Sequence, residues 1–278
     1  MRVLATDPLP SDHDIVLCGD EHTGNILSHD DGIEQVHDYV LAENNRFVVK
    51  MGDRIDAIAS DDKRFDETAK TQIPLQQANI AIEQDRRIAS RTLLRLIGNH
   101  ELKLWRFGNL AEYIAKELNN PYGTYTAVLT VCDKYGPMYR MWLSHGFGSL
   151  NSNAKDYEQR IGNRKAGLKM KLKYKASDCL IMAMGHTHQL LTAEPIHQLH
   201  LTHAEGRPKQ HYRQCDDQLA AFIDPDLKWY ANTGSFLKQY GDGVSGYGEV
   251  KGFDPVPMGS IVVRVRDRKV IAVDELIV

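Results

Sequence analysis

Residues 180–188 read Leu180–Ile181–Met182–Ala183–Met184–Gly185–His186–Thr187–His188. A short, continuously apolar run stopped by glycine reads as a strand buried on both faces, here expected over 178–184. It is the densest apolar run in the chain, and it falls far short of the ~18 residues a membrane-spanning helix needs. The two histidines beyond the glycine are spaced so that both side chains fall on one side of an extended loop, because side chains there alternate with period two.

The same arrangement recurs upstream. Ile15–Cys18 stops at Gly19–Asp20, Arg46–Met51 at Gly52–Asp53, Leu93–Ile97 at Gly98–Asn99–His100–Glu101, and Tyr139–Ser144 at His145–Gly146. In α/β folds, ligands and catalytic groups gather beyond the carboxyl ends of the strands, so these distant loops can meet at one place. Between them, helices are expected over Ile33–Ala42, over 74–91 with Pro74 in the first turn, and over 109–118. The polar stretch Ser60–Thr71 reads as a connection, Tyr125–Cys132 as a further strand, and Ser260–Arg266 with Val270–Ile277 as a closing β-hairpin. One domain over 1–278 is expected, carrying a basic insertion at about 150–177.

Composition sets the limits. The 278 residues carry a net charge of −3, with 42% apolar and 26% charged residues, which excludes disorder and fibrous repeats. At this length one core suffices. Residues 1–14 hold three Asp and two Pro, unlike a secretory leader. Cys18, Cys132, Cys179 and Cys215 are scattered without metal-site or disulfide spacing, so a reducing compartment, the cytoplasm, is expected.

The strand-end polar residues are Asp20, His22, Asp53, Asn99, His145, His186 and His188. Carboxylates, imidazoles and one amide suit borderline divalent ions, with Mn first and Fe, Zn, Ni or Co as alternatives, better than Mg or Ca. A carboxylate can bridge two cations, and two ions ~3.5–4 Å apart can share a hydroxide and clamp the oxygens of a phosphate.

The five blocks from Gly19 to His188 resemble, in order, the signature blocks of the calcineurin-like metallophosphoesterases. The resemblance implies a four-layer αββα sandwich of two mixed β-sheets with flanking helices, and a site at the strand ends. It assigns Asp20, His22 and His188 to one metal, Asn99, His145 and His186 to the other, and Asp53 between them. His100 would lie near the leaving oxygen as proton donor or phosphate-positioning group, with the Asp56 carboxylate orienting its ring. The turn Asn232–Thr233–Gly234–Ser235 resembles one that packs behind the site. The protein Ser/Thr phosphatases of the family continue the second block with Arg–Gly, whereas Asp56 is followed here by Ala57–Ile58, which weakens a protein-phosphatase reading.

Other features are less specific. From Arg160 to Lys175 there are seven basic residues and no acid, read as a solvated helix face or as a positive rim for an anionic substrate. Arg54, Asn151, Lys165 and Lys169 are the candidates for substrate contact, with Trp105 and Phe107 also within reach of the third block. Glu21, between two expected ligands, is read as solvent-facing or as an acceptor for a ligand histidine. His197, His200 and His203 are taken as surface histidines. The expected function is dimetal hydrolysis of a phosphate ester, first as a phosphodiesterase on nucleotides or nucleic acid. A phosphomonoesterase on a small molecule or phosphoprotein is the alternative, and a non-catalytic metal-binding scaffold the remote one. No membrane or protein partner is implied.

Overall fold

The computed structural model describes residues 1–62 and 69–278; part of the polar stretch 60–71, and the Phe107 and Tyr247 side chains, lie outside the described residues. Two mixed sheets pack face to face. The first has the order β13-β12-β2-β3-β4, where β2 is His13–Cys18, β3 Arg46–Lys50, β4 Thr92–Arg95, β12 Gly259–Arg266 and β13 Lys269–Ile277. The second has the order β1-β5-β6-β7-β11-β8, where β1 is Arg2–Ala5, β5 Thr126–Asp133, β6 Gly136–Ser144, β7 Ile181–Met184, β8 Leu190–Ala193 and β11 Trp229–Thr233.

Parity along each strand decides the layer. In β2, Ile15 and Leu17 enter the core between the sheets with Met141, Leu143, Ile181 and Ala183, while Val16 and Cys18 face outward. The outward pair is covered by α1, Asp30–Leu41, through Ile33, Val36 and Val40. On the opposite outer face, Trp142, Met182 and Tyr230 are covered by α5, Tyr157–Leu172, through Leu168 and Leu172. Strands sealed on both faces have no polar side to show, which is why they read as unbroken apolar runs. The layers are therefore helix, sheet, sheet, helix.

A fourth apolar cluster joins α2, Pro74–Asp85, to α4, Leu110–Glu117, through Ala78, Ala81, Ile82, Ile114 and Leu118. The helix expected over 74–91 keeps α geometry only to Asp85 and tightens into a 3₁₀ segment, Arg86–Arg91, before β4. Short helices α3, Asn99–Lys103, and α6, Tyr247–Lys251, complete the helical elements used below. The edge strand β1 and strands β8 and β11 carry no sequence signal of comparable strength. An exposed two-stranded ribbon, β9 (Leu199–Ala204) with β10 (Arg207–Tyr212), carries His200 and His203.

Chain direction places the loops. β2, β3 and β4 run parallel in one sheet, and β6, β7 and β11 run parallel in the other. Their carboxyl ends reach the same edge of the sandwich, where hydrogen bonds continue past the strands, from Asp20 N to Gly52 O at 3.0 Å and from Gly185 N to His145 O at 2.9 Å.

The fully buried Leu17 is a direct test of the inter-sheet core. Leu17→Ala is expected to cost about 2–5 kcal/mol. A urea titration should show this as a lowered midpoint with an unchanged slope.

Candidate metal centre

All seven residues that the resemblance assigns to metals meet at this edge, in two sets with the Asp53 carboxylate beside both. In the first, His188 Nε2 lies 3.3 Å from Asp20 Oδ1 and 3.3 Å from His22 Nε2, which is 4.0 Å from Asp53 Oδ2. In the second, Asp53 Oδ2 is 3.2 Å from His145 Nε2, and Asn99 Oδ1 lies 3.0 Å from His145 Nε2 and 2.6 Å from His186 Nδ1. A third possible combination, His22–Asp53–His100, uses the same Asp53.

The backbone is held in an unusual state to achieve this. Asp20, His22, Asp53, His186 and His188 all have positive φ, between 48° and 69°. Left-handed conformations cost non-glycine residues of order 1–3 kcal/mol each and persist only where the surroundings over-determine them. Here the loops are stitched to one another. Glu21 N and His22 N both donate to Asp53 O (3.0 and 3.1 Å), and Phe236 N and Ser235 Oγ both donate to Asp20 O at 2.9 Å. Asn232 Nδ2 donates to Gly185 O at 3.2 Å, so residues 232–236 back the site from behind. Gly98 is required by close approach, since a Cβ there would lie 1.9 Å from Asp53 Oδ1.

Several of the donor atoms are aimed by a contact on the far side of the same side chain. His145 Nδ1–H donates to Met51 O at 3.0 Å, leaving Nε2 for the centre. Asp53 Oδ1 accepts His100 N–H at 2.8 Å, leaving Oδ2 between the sets. Asp20 Oδ2 accepts His186 N–H at 2.9 Å, while its buried Oδ1 has no hydrogen-bond partner. That orphaned carboxylate oxygen, facing ring nitrogens on two histidines, is what a cation would satisfy. The donor chemistry fits a pair of divalent ions.

Electrostatics agree in direction. Burial opposes ionisation of Asp53, but His145, His100 and His22 hold it well below the usual carboxylate range. Burial would lower both His22 and His145. Contacts with Asp56 and Asp53 instead push His22 up to about 9, and Asp53 with Asp20 pushes His145 up to about 10. His100, for which burial prevails, is lowered to about 4.

Asp56 differs from expectation. Its carboxylate Oδ1 lies 3.3 Å from His22 Nδ1, and its Oδ2 accepts from Asn25 Nδ2 at 3.1 Å. His100 Nδ1–H donates instead to the Asp56 backbone carbonyl at 2.5 Å, with the carboxylate 3.7 Å away. The residue thus holds two rings, one with each oxygen-bearing group.

Glu21 is neither solvent-facing nor bonded to a ligand histidine. It is 1% exposed and lies 2.6 Å from Lys50 Nζ and 3.0 Å from Arg54 Nε. Arg54, expected to contact substrate, is 5% exposed and turned inward. Its guanidinium is consumed by Asp85 at 3.0 Å, Gln84 at 2.8 Å and Thr23. The pairing requires Asp85 at the end of α2, 31 residues away, which no local pattern announces. Glu101 was visible only as part of a block. Its carboxylate accepts Arg54 N–H at 2.7 Å, Ile55 N–H at 3.2 Å and Gly98 N–H at 3.0 Å, clamping the second loop to the third.

The centre opens into a cavity of about 920 Å³. His22, Asp53, Asn99, His100, His186 and His188 lie on its wall, Asn151 lines it as the sequence suggested, and Ser152 lines it beside Asn151. Lys165 and Lys169 do not, and Lys169 pairs with Asp226. The reason is helical geometry. Leu168 and Leu172 fix the buried stripe of α5, and at 100° per residue Lys165 and Lys169 fall on one flank, Arg160 and Arg164 on the other. Arg160 and Arg164 line the cavity. So do Gln72, Gln239 and Asp254, from segments without motif. Trp105 is exposed and away from the cavity.

No family model matches the sequence, nor does any curated protein. Among solved structures, the calcineurin-like phosphoesterase YfkN from Bacillus subtilis is similar over 96% of this chain and 90% of its own, at 12% identity and a TM-score of 0.41. The Haemophilus influenzae NAD nucleotidase NadN is similar over 95% of this chain and 49% of its own, at 10% identity and a TM-score of 0.38; the chain spans about half its length.

Two predictions follow from the geometry. At pH 7–8 each ion must displace protons that His22 and His145 retain up to about 9 and about 10. Calorimetry in buffers of differing ionisation enthalpy should therefore detect proton release, and affinity should rise with pH until those groups are neutral. Asp56→Asn, which preserves the carbonyl contact to His100 but weakens the support of His22, should lower metal affinity about 10–100-fold at the Asp20–His22–His188 set. Metal analysis after dialysis should then find about one ion lost. The five strand-end blocks that resemble the calcineurin-like metallophosphoesterases thus converge at one edge of a two-sheet sandwich flanked by helices, the architecture that the resemblance implies.

Proposed function

We propose that this protein is a dimetal-dependent hydrolase of phosphate esters, acting as a phosphodiesterase on nucleotides or nucleic acid, and a member of the family it resembles. The observation that supports this best is the pair of inward-facing donor sets, Asp20–His22–His188 and Asp53–His145–His186, at the wall of a large cavity, with Asp53 Oδ2 3.2 Å from His145 Nε2 and 4.0 Å from His22 Nε2. Asp20, His22, His188 and Asp53 would hold one ion, and Asp53, Asn99, His145 and His186 the other. Manganese leads, with Fe, Zn, Ni or Co as alternatives, because the set mixes imidazole, carboxylate and amide. When bound, such ions polarise phosphoryl oxygens and make water acidic enough to ionise near neutral pH.

The chain's own groups supply the rest. His100 Nδ1–H is committed to the Asp56 carbonyl, so its Nε2 is the atom that exchanges a proton at the cavity wall. With the ring lowered to about 4, Nε2 is unprotonated near neutral pH, so it would pass a proton to the departing alcohol oxygen only after accepting one there from the attacking water. Rigid loops keep the reacting groups in register, and the cavity is of a size that takes a nucleotide-sized ligand. The phosphomonoesterase alternative gains from one observation: Lys165 and Lys169, the expected rim for a polyanion, are not at the cavity. The four cysteines are free, in keeping with a reducing compartment such as the cytoplasm.

Hydrolysis of a chromogenic phosphodiester and the matching monoester by Mn-reconstituted protein is the deciding assay. Diester preference is expected, monoester preference would promote the alternative, and silence on both with two ions bound would remove the hydrolase reading. His100→Ala should keep both ions and lose about 100- to 10,000-fold in kcat. Loss of an ion instead would make His100 a ligand.

A further inference from the structure

The cavity wall carries charge that the metal centre does not use. Arg160 and Arg164 stand one turn apart on the same flank of α5, and both line the cavity. Arg160 Nη1 is paired with Asp254 Oδ2 at 2.6 Å across the wall. Arg164 forms no hydrogen bond or ion pair among the described residues, and its Nε is buried without an acceptor, as is the Nε of Arg160. A buried donor left unmade costs of order 1–3 kcal/mol, more when it belongs to a charged group. The natural acceptor for a planar guanidinium is a phosphate, taken through two parallel N–H···O contacts. Among the described residues, the acids on the cavity wall are Asp53 and Asp56, both engaged at the centre, and Asp254, already bound to Arg160.

We propose that Arg164, supported by Arg160, forms a subsite for a second phosphate of the substrate, separate from the phosphate held at the Asp53 centre. The inference rests on the phosphoesterase reading and names its substrate class: a molecule bearing at least two phosphate groups. The shared chemistry is a non-reacting phosphate, supplied either by a small bisphosphate or by the neighbouring phosphate of a nucleic-acid strand. An apolar or amide-only wall would read neither. Arg164 does the reading because Arg160 already has a carboxylate partner.

The test measures binding, so it does not depend on turnover. Calorimetric titration of the Mn-loaded protein compares adenosine 3′,5′-bisphosphate with adenosine 5′-monophosphate. A second pair compares a phosphorothioate-linked dinucleotide with and without a 5′-phosphate. The extra phosphate is expected to tighten binding at least about tenfold in one pair. Arg164→Met should bring that ratio close to one, and Arg164→Lys should recover part of it. The pair that shows the Arg164-dependent gain names the source of the phosphate. An equal ratio in the wild type and Arg164→Met, or no gain from the extra phosphate in either pair, overturns the subsite. Failure of the phosphoesterase reading would show separately, as absence of turnover on any ester while the binding ratios stand.

Discussion

One buried carboxylate governs the arrangement. Asp53 is 1% exposed, and both of its oxygens are committed, Oδ1 to the His100 amide and Oδ2 to the space between two donor sets. An isolated carboxylate there would be protonated rather than charged, because desolvation disfavours the ion. It stays ionised because histidines from three loops converge on it. Every loop that contributes a donor must therefore be held close to Asp53, and the parallel strands of both sheets deliver those loops to the same edge.

Behind the ligands lies a second constraint. Glu21 and Arg54 each directly follow a candidate metal-binding residue, and their side chains meet at 3.0 Å. Asp85 joins both loops to the rest of the sheet through Arg54, through Lys50 at 3.3 Å and through Arg95 at 2.6 Å. Burying such a network gains little net stability, since desolvation offsets most of the attraction, but removing one member leaves an uncompensated buried charge. Its effect is geometric: the Asp20–His22 loop and the Asp53 loop cannot separate without breaking it. Glu101 performs the same service between the Asp53 loop and α3 through three backbone N–H groups.

The left-handed residues of the candidate site fit this picture. Strained φ at Asp20, His22, Asp53, His186 and His188 turns donor atoms toward one point, and the cross-loop hydrogen bonds keep the strain from relaxing. A preorganised site of this kind loses little when ligands bind, because the cost of ordering was met when the chain folded.

The sequence alone determined the strands and the loops that end them. Ile15–Cys18, Phe47–Lys50 and Ile181–Met184 are legible because burial on both faces leaves a local, unbroken apolar signature. The residues that gather at the strand ends are legible because each follows such a strand within a few positions. Tertiary structure alone decided where the charges between them went. Arg54 and Glu21 were drawn inward by Lys50, Asp85 and Arg95, partners that only folding brings near. Lys165 and Lys169 were turned from the cavity, and Arg160 and Arg164 toward it, once Leu168 and Leu172 had docked against the sheet. A charged side chain carries no periodic signal of its own; its role depends on which opposite charge folding brings within a few ångströms.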